Sequence, residues 1–332
     1  MTEHKREAPE AIIALWLGRV GDLIVSTAFL RSLRQGFPSA RITLATSALC
    51  AEAAELIPFV DDALFIGRWD QAWSNLRSCL RLRALQPDLL IDLNPSLSKS
   101  GAALAWLSGA EMRLGFEKGR LGWALTDAIE AAAENEHMLD RYARLAAALE
   151  LRYELRPELA LGPEHEGQAS AAMPAPPEGR PRILIHPGNF KKVENRWPES
   201  KFVELTRLAL KEGWFVAYLA GPGENEPVKA IVSEIGQDVP LISGLSLGGT
   251  GALMRRFDLC VLNATGTLHL AAAMDIPTFA FYARYTDTVW RPRGPRHKGL
   301  VSGDWESCRD IGVSEAWSAL KSALPGPAAL RR

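Results

Sequence analysis

The sequence holds no apolar run approaching the ~20 residues that a membrane-spanning helix requires. Its opening is polar and mixed in charge up to Pro9, and the apolar stretch that follows, residues 11–17, is only strand-sized. The layout of a secretory signal is therefore missing, and a cytoplasmic protein is expected. The 4 cysteines (Cys50, Cys79, Cys260, Cys308) are scattered with no C-x-x-C pair, which argues for reduced thiols and against a disulfide framework or zinc site. The 6 histidines are equally dispersed, without metal-ligand spacing, so no metal is expected. A formal net charge of −1 offers nucleic acid no electrostatic footprint. The fingerprint G-x-G-x-x-G is also missing, and no acidic residue stands as a ribose clamp after the second strand. That weakens a nicotinamide or flavin reading, and no bound cofactor is expected.

What is present is an α/β pattern, twice. A chain of 332 residues exceeds one ordinary core and fits two domains of roughly 150 residues each. AIIALWL (11–17) is a strand with no polar break, as in a parallel sheet covered on both faces. After the turn GRVG comes a helix whose apolar positions Leu23, Ala28, Leu30 and Leu33 recur at near-helical spacing, closed by Gly36 and Pro38. RITLAT (41–46), DALFI (62–66) and DLLIDL (88–93) are further strands with helical segments between them, a repeated βα unit with right-handed crossovers. MLDRYARLAAALEL (138–151) is an amphipathic helix, and the proline-rich stretch 156–181 after it reads as a linker. The alternation then restarts with the strand RILIHPG (182–188), a helix over 198–212, WFVAYL (214–219), DLCVLN (258–263), the helix TLHLAAAM (267–274) and TFAFY (278–282). The expected fold is α/β: two Rossmann-like domains, 1–155 and 182–332, with parallel sheets facing across a cleft. The ligand is expected in the crevice at the carboxyl ends of the strands.

Four glycine turns at such strand ends carry the candidate chemistry. In GRVGD the glycines, Gly21 among them, turn the chain and leave room for a ligand, while Asp22 is either a helix N-cap or a general base able to take a proton from a hydroxyl. In LNATGTLHLAAA, Thr265, Gly266 and Thr267 sit at a helix start, where unpaired amides and hydroxyl donors suit a phosphate. His269 either points back at that ligand or is a packed histidine. AGPGENE offers Glu224 to a ribose hydroxyl, although G-P-G-E is common in surface turns. HPGNFKKVENRWPESKF brings Lys191 and Lys192, able to neutralise a diphosphate or simply solvated, together with Arg196.

These segments resemble the glycosyltransferase family that contains the lipopolysaccharide heptosyltransferases (family 9, GT-B fold). GRVGDLIVSTAFLRSLRQGFPSARITLAT is similar to that family's opening strand, turn and helix, and DLLIDLNPSLSKSGAALAWLSGAEMRLGF to its mid-domain segment. HMLDRYARLAAALEL, NRWPESKFVEL, AGPGE, DLCVLNATGTLHLAAAMDIPTFAFYARYTD and CRDIGVSEAWSAL follow in the family's order, over nearly the whole chain. The resemblance implies inverting, metal-independent transfer from a nucleotide-activated heptose, usually ADP-heptose, to a lipid-linked sugar acceptor. It implies Asp22 as general base, Thr265, Gly266 and Thr267 around the diphosphate, Glu224 at the ribose and His269 supporting the donor loop. It also implies a last helix packing toward the first domain. Two positions depart from the family's pattern. Ala264 stands where an aspartate usually binds donor sugar hydroxyls, leaving Asn263 to turn inward in its place, and Asn195 stands where a lysine usually precedes R-W-P. Lys191 or Lys192 can replace the second.

The resulting expectation is a glycosyltransferase taking a nucleotide-sugar donor and a lipid-linked or other glycan acceptor, with no nucleic-acid partner and at most peripheral contact with the inner face of the membrane. Lys99, Arg113, Lys118 and Arg120, in or after the loop following the fourth strand, either meet the acceptor's phosphates or are ordinary solvated charge. The competing classes are a nucleotide-sugar epimerase on the same plan and a binding protein without transfer activity.

Overall fold

The computed structural model describes residues 8–67, 72–173, 179–188, 190 and 196–324, with 72–75 described by backbone alone. It divides into two units, Met1–Leu159 and Ala160–Arg332.

The first unit is built on strands β1 (Ala11–Trp16), β2 (Arg41–Ser47), β3 (Asp62–Ile66), β4 (Leu89–Asp92), β5 (Met112–Phe116) and β6 (Asp127–Ile129), in the order β3-β2-β1-β4-β5-β6 with every pairing parallel. Helices α1 (Val20–Gly36), α2 (Ala51–Glu55), α3 (Ala72–Ala84), α4 (Lys99–Leu107) and α5 (Met138–Ala148) flank the sheet. β1 buries every residue after Ala11, which is why its sequence lacks polar alternation. Asp88 Oδ2 accepts the backbone N–H groups of Glu10 and Ala11 at 2.7 and 2.9 Å, pinning the start of β1 beside the start of β4.

The second unit opens with α6 (Pro163–Ala172) and continues through β7 (Arg182–His186), α7 (Glu199–Lys211), β8 (Phe215–Leu219), α8 (Asn225–Ile235), β9 (Leu241–Ile242), α9 (Leu247–Met254), β10 (Leu259–Asn263), α10 (Gly266–Ala273), β11 (Thr278–Tyr282), α11 (Arg284–Trp290), β12 (His297–Val301) and α12 (Val313–Ala323). Its strand order is β12-β11-β10-β7-β8-β9, the first unit's order read from the other edge and again parallel. Asp258 repeats the role of Asp88, accepting the N–H of Arg182 at 2.7 Å. In both sheets the chain reverses its winding beside the first strand, between β1 and β4 and between β7 and β10, which is where open α/β sheets bind ligands.

Trp197 anchors the second core. It is fully buried, its ring stacks on Phe281 at 3.9 Å, and its indole N–H donates to the Ile311 carbonyl at 2.9 Å. A tryptophan held this way is worth about 3–5 kcal/mol against alanine. The four cysteines form no disulfide and are buried, and burial pushes their thiols above the ordinary range.

One difference from the sequence reading stands out. The stretch 156–181 is not bare linker, because α6 occupies part of it and packs on α9, with the Ser246 hydroxyl donating to Gln168 Oε1 at 2.8 Å. Residues 174–178, its most proline-dense part, lie outside the described residues. Within the second unit, Ala316 and Leu320 of α12 join the Trp197 core, and Trp317 lies 4.8 Å from Trp214. Among the described residues no helix is long and apolar enough to cross a membrane.

Candidate functional site

In the first unit the strand-to-helix turn after β1 is closed by Trp16. Its indole N–H donates to the Arg19 carbonyl at 3.1 Å, and its ring occupies the space of a side chain at Gly18, where a Cβ would fall 2.2 Å away. The helix starts at Val20 with extended Arg19 as N-cap, so Asp22 is the third helical residue and the capping reading of its side chain is set aside. Among the described residues the half-buried Asp22 carboxylate accepts no hydrogen bond. Burial pushes it up to about 6, against the pull of the Arg19 guanidinium.

Next to β1, the end of β4 carries Asp92, 2% exposed and registered with Leu15. It takes the ammonium of Lys118 in a buried ion pair and the N–H of Asn94 at 3.1 Å, and burial still pushes its carboxyl up against the lysine's pull. Lys118 is thus an internal counter-ion and not the surface cation expected from sequence. Arg113 is likewise corrected: it lies near the amino end of β5, donating to the carbonyls of Ala110 and Ala124 at 2.7 and 2.8 Å. Lys99, at the start of α4, and Arg120 are exposed. Tyr142, fully buried on α5, has a hydroxyl without a partner among the described residues, and its phenol is pushed up by burial first and by Asp22 second.

In the second unit three strand-end turns meet in a chain of hydrogen bonds. His186, the last residue of β7, sets Nε2 2.8 Å from Glu224 Oε2 and Nδ1 2.8 Å from Thr267 Oγ1, and Thr267 Oγ1 lies 2.8 Å from Thr265 Oγ1. The same Glu224 oxygen accepts the N–H of Gly221 at 2.9 Å. Gly188 permits this arrangement, since a Cβ there would fall 2.4 Å from the imidazole. Thr265 is the N-cap of α10 and Gly266, exposed, its first residue, so the open amides of this helix face outward beside the two hydroxyls.

Sequence reasoning thus located Glu224, Thr265, Gly266 and Thr267 in one place, and missed His186, which joins them. Asn263 is adjacent but committed elsewhere. It is 2% exposed, its Nδ2 donates to the Pro187 carbonyl at 2.6 Å and its Oδ1 accepts from the Trp197 N–H at 3.0 Å. It holds the loop and does not turn toward a donor in place of the family's aspartate. His269 is buried in α10, its ring 5.8 Å from Trp290. Arg196, 6% exposed, stacks on Phe190 at 4.4 Å and pairs with Glu199, while its Nε and Nη1 find no partner among the described residues. Lys191, Lys192 and Asn195 lie outside the described residues. Among the described residues no group of three or more His, Cys, Asp or Glu side chains is gathered as a metal site would need.

The sequence profile of glycosyltransferase family 9 (heptosyltransferase) matches residues 76–315. The chain belongs to that family. It is therefore a glycosyltransferase by family, and the two-unit fold expected from its sequence is the one it has. Lipopolysaccharide heptosyltransferase 2 of Salmonella typhimurium is 24% identical over 287 residues, 79% of this chain and 80% of that protein. Among solved structures, a family 9 glycosyl transferase from Veillonella parvula aligns with a TM-score of 0.81 at 19% identity, over 95% of this chain and 97% of that one. The E. coli ADP-heptose lipopolysaccharide heptosyltransferase II aligns with a TM-score of 0.79 at 22% identity, over 94% of this chain and 98% of that one. E. coli heptosyltransferase WaaC, solved with ADP, aligns with a TM-score of 0.75 at 17% identity over 94% of this chain and 99% of its own.

Proposed function

We propose that this family 9 member transfers a heptose, or a related sugar, from ADP-heptose to a lipopolysaccharide-type glycan, with inversion and without a metal ion. The observation that carries the reading is Asp22, an unpaired, half-buried carboxylate raised to about 6 at the first unit's switch point. A base of that strength is ionised at neutral pH yet avid enough to draw a proton from a sugar hydroxyl. In the proposed step the acceptor oxygen loses its proton to Asp22 and bonds to the anomeric carbon. The bond from that carbon to the β-phosphate oxygen breaks, and the nucleoside diphosphate departs.

The leaving group's charge is taken by the amides at the start of α10 and by Arg196, whose two unpaired buried donors await an anion. Gly21, buried as the second residue of α1, stands beside Asp22 without a side chain, Glu224 reaches the ribose, and Lys191 and Lys192 add charge. His269 supports the donor loop through α10, and of the first unit's cations the exposed Lys99 and Arg120 serve the acceptor. The relatives' names supply the heptose and the lipopolysaccharide, and a relative solved with ADP supplies the nucleotide. A lipid-linked acceptor places the enzyme in the cytoplasm, at the membrane surface. Asp22→Asn tests the reading: ADP should bind as before while transfer from ADP-heptose collapses, and undiminished turnover would refute the assigned base.

Ala264, in place of the family's aspartate, favours a second reading, a nucleotide-sugar binder with little transfer activity. ADP binding without transfer or donor hydrolysis in the wild-type chain would select it.

A further inference from the structure

The chain of 2.8 Å contacts from Glu224 through His186 and Thr267 to Thr265 constrains where its protons lie. An ionised carboxylate only accepts, so the imidazole Nε2 facing Glu224 carries hydrogen. In the neutral ring Nδ1 is then a lone pair, so Thr267 donates to it and Thr265 in turn donates to Thr267. Both hydroxyl hydrogens point inward, and Thr265 shows the helix start nothing but lone pairs, which repel a phosphate oxygen. With Nδ1 protonated, the order reverses: Nδ1–H donates to Thr267, Thr267 donates to Thr265, and the Thr265 hydroxyl is released to donate outward. No heavy atom has to move, because only hydroxyl rotors turn.

We propose that His186 is a proton-linked positioning residue of the donor site: a nucleoside diphosphate arriving at the start of α10 draws one proton from solvent onto His186 Nδ1, and that proton reverses both threonine hydroxyls, so that Thr265 donates to the phosphate. This rests on the reading of that helix start as the diphosphate site. The burial gradient fits the role, with His186 3% exposed at the inner end, Thr265 and Thr267 half-buried, and Gly266 open to solvent. Among the described residues the ionisable group in contact with the imidazole is Glu224, from the turn before α8, while its neighbours on β10 and α10, Leu262 and Thr267, carry no charge. A diphosphate at the helix start brings a negative group to the opposite end of this hydrogen-bond chain from Glu224. The proton balance is simple: one proton leaves the buffer, joins Nδ1, and returns when the nucleotide departs. Linkage then requires affinity to fall with rising pH, by up to about tenfold per unit where a full proton is taken up.

The test is titration calorimetry of the whole chain with ADP, and with UDP and GDP in turn, at about pH 8, where the terminal phosphate is already ionised and any proton taken up belongs to the protein. Running each titration in HEPES and in Tris, which differ in ionisation enthalpy, yields the proton count. Uptake approaching one proton is expected for the wild type, and none for His186→Gln. Thr265→Val removes only the outer hydroxyl, at an N-cap whose side chain makes no capping bond, and should also abolish uptake even if His186→Gln folds poorly. Identical enthalpies in the two buffers for the wild type, or uptake surviving in Thr265→Val, would overturn the proposal while leaving the diphosphate site intact. No binding heat with any of the three nucleotides would overturn the site and the proposal together.

Discussion

The carboxamide of Asn263 closes a loop at both ends, accepting from the Trp197 N–H at 3.0 Å and donating to the Pro187 carbonyl at 2.6 Å. Those two backbone groups bracket the glycine- and lysine-bearing loop between β7 and α7. Asn263→Ala leaves a buried donor and a buried acceptor unpaired, at about 1–3 kcal/mol each. A loss of about 2–6 kcal/mol in urea unfolding is expected from the two unpaired groups together.

Asp22 ties activity to stability. Asp22→Asn should lower kcat about 10²–10⁴-fold with ADP affinity unchanged, and wild-type kcat/KM should rise through a limb near the carboxyl's value of about 6. The sign of the stability effect follows from the same shift. The folded state holds this proton more tightly than the unfolded chain, so the wild type loses stability as pH climbs from about 4 to about 6. Two units correspond to about 3 kcal/mol at most, which solvent screening at a half-buried group reduces to about 1–2 kcal/mol. Asp22→Asn should therefore be more stable than wild type at about pH 8 by that amount and equal to it near pH 4, measured by chemical denaturation at both.

Lys118 is predicted to be structural. Lys118→Met strands Asp92 as a buried, uncompensated charge, costing about 3–5 kcal/mol at neutral pH. Because the Asp92 carboxyl is already raised by burial, the penalty should shrink in acid as it protonates. Adding Asp92→Leu to Lys118→Met should restore most of the loss. Equal destabilisation at pH 5 and pH 8 would show that Asp92 is not the group left behind.

Arg196 should behave in the opposite way. Its unpaired buried Nε and Nη1 cost the empty protein stability, so Arg196→Gln is expected to leave the unfolding free energy unchanged or slightly higher. Binding of ADP should weaken about 10–100-fold, the worth of charge-assisted hydrogen bonds, as read by calorimetry.

The central strands were legible because burial on both faces writes itself into sequence as unbroken runs, as in AIIALW and DLCVLN. The edge strand β6 and the two-residue β9 are too short to leave such a signature, and β5 breaks its apolar run with Arg113 and Gly115. α6 was read as linker because prolines flank it, although Pro163 at its first turn is where a helix accepts proline. His186 was overlooked because its partners stand 38 and 81 residues away, a distance no local pattern spans. The same holds for Lys118, whose fate is decided by an aspartate on the neighbouring strand. The glycine turns, by contrast, are local, and they led to the right strand ends.

The buried thiols give this enzyme a built-in chemical clock. Cys50 and Cys79 sit in the first unit, Cys260 and Cys308 in the second, all buried with suppressed ionisation. An alkylating reagent that needs exposed thiolate can reach them only when the surrounding structure opens. Peptide-resolved labelling of the wild-type chain, with and without nucleotide, would then report the opening free energy of each half separately. Donor binding at the second unit should slow the Cys260 and Cys308 clock before it touches the other.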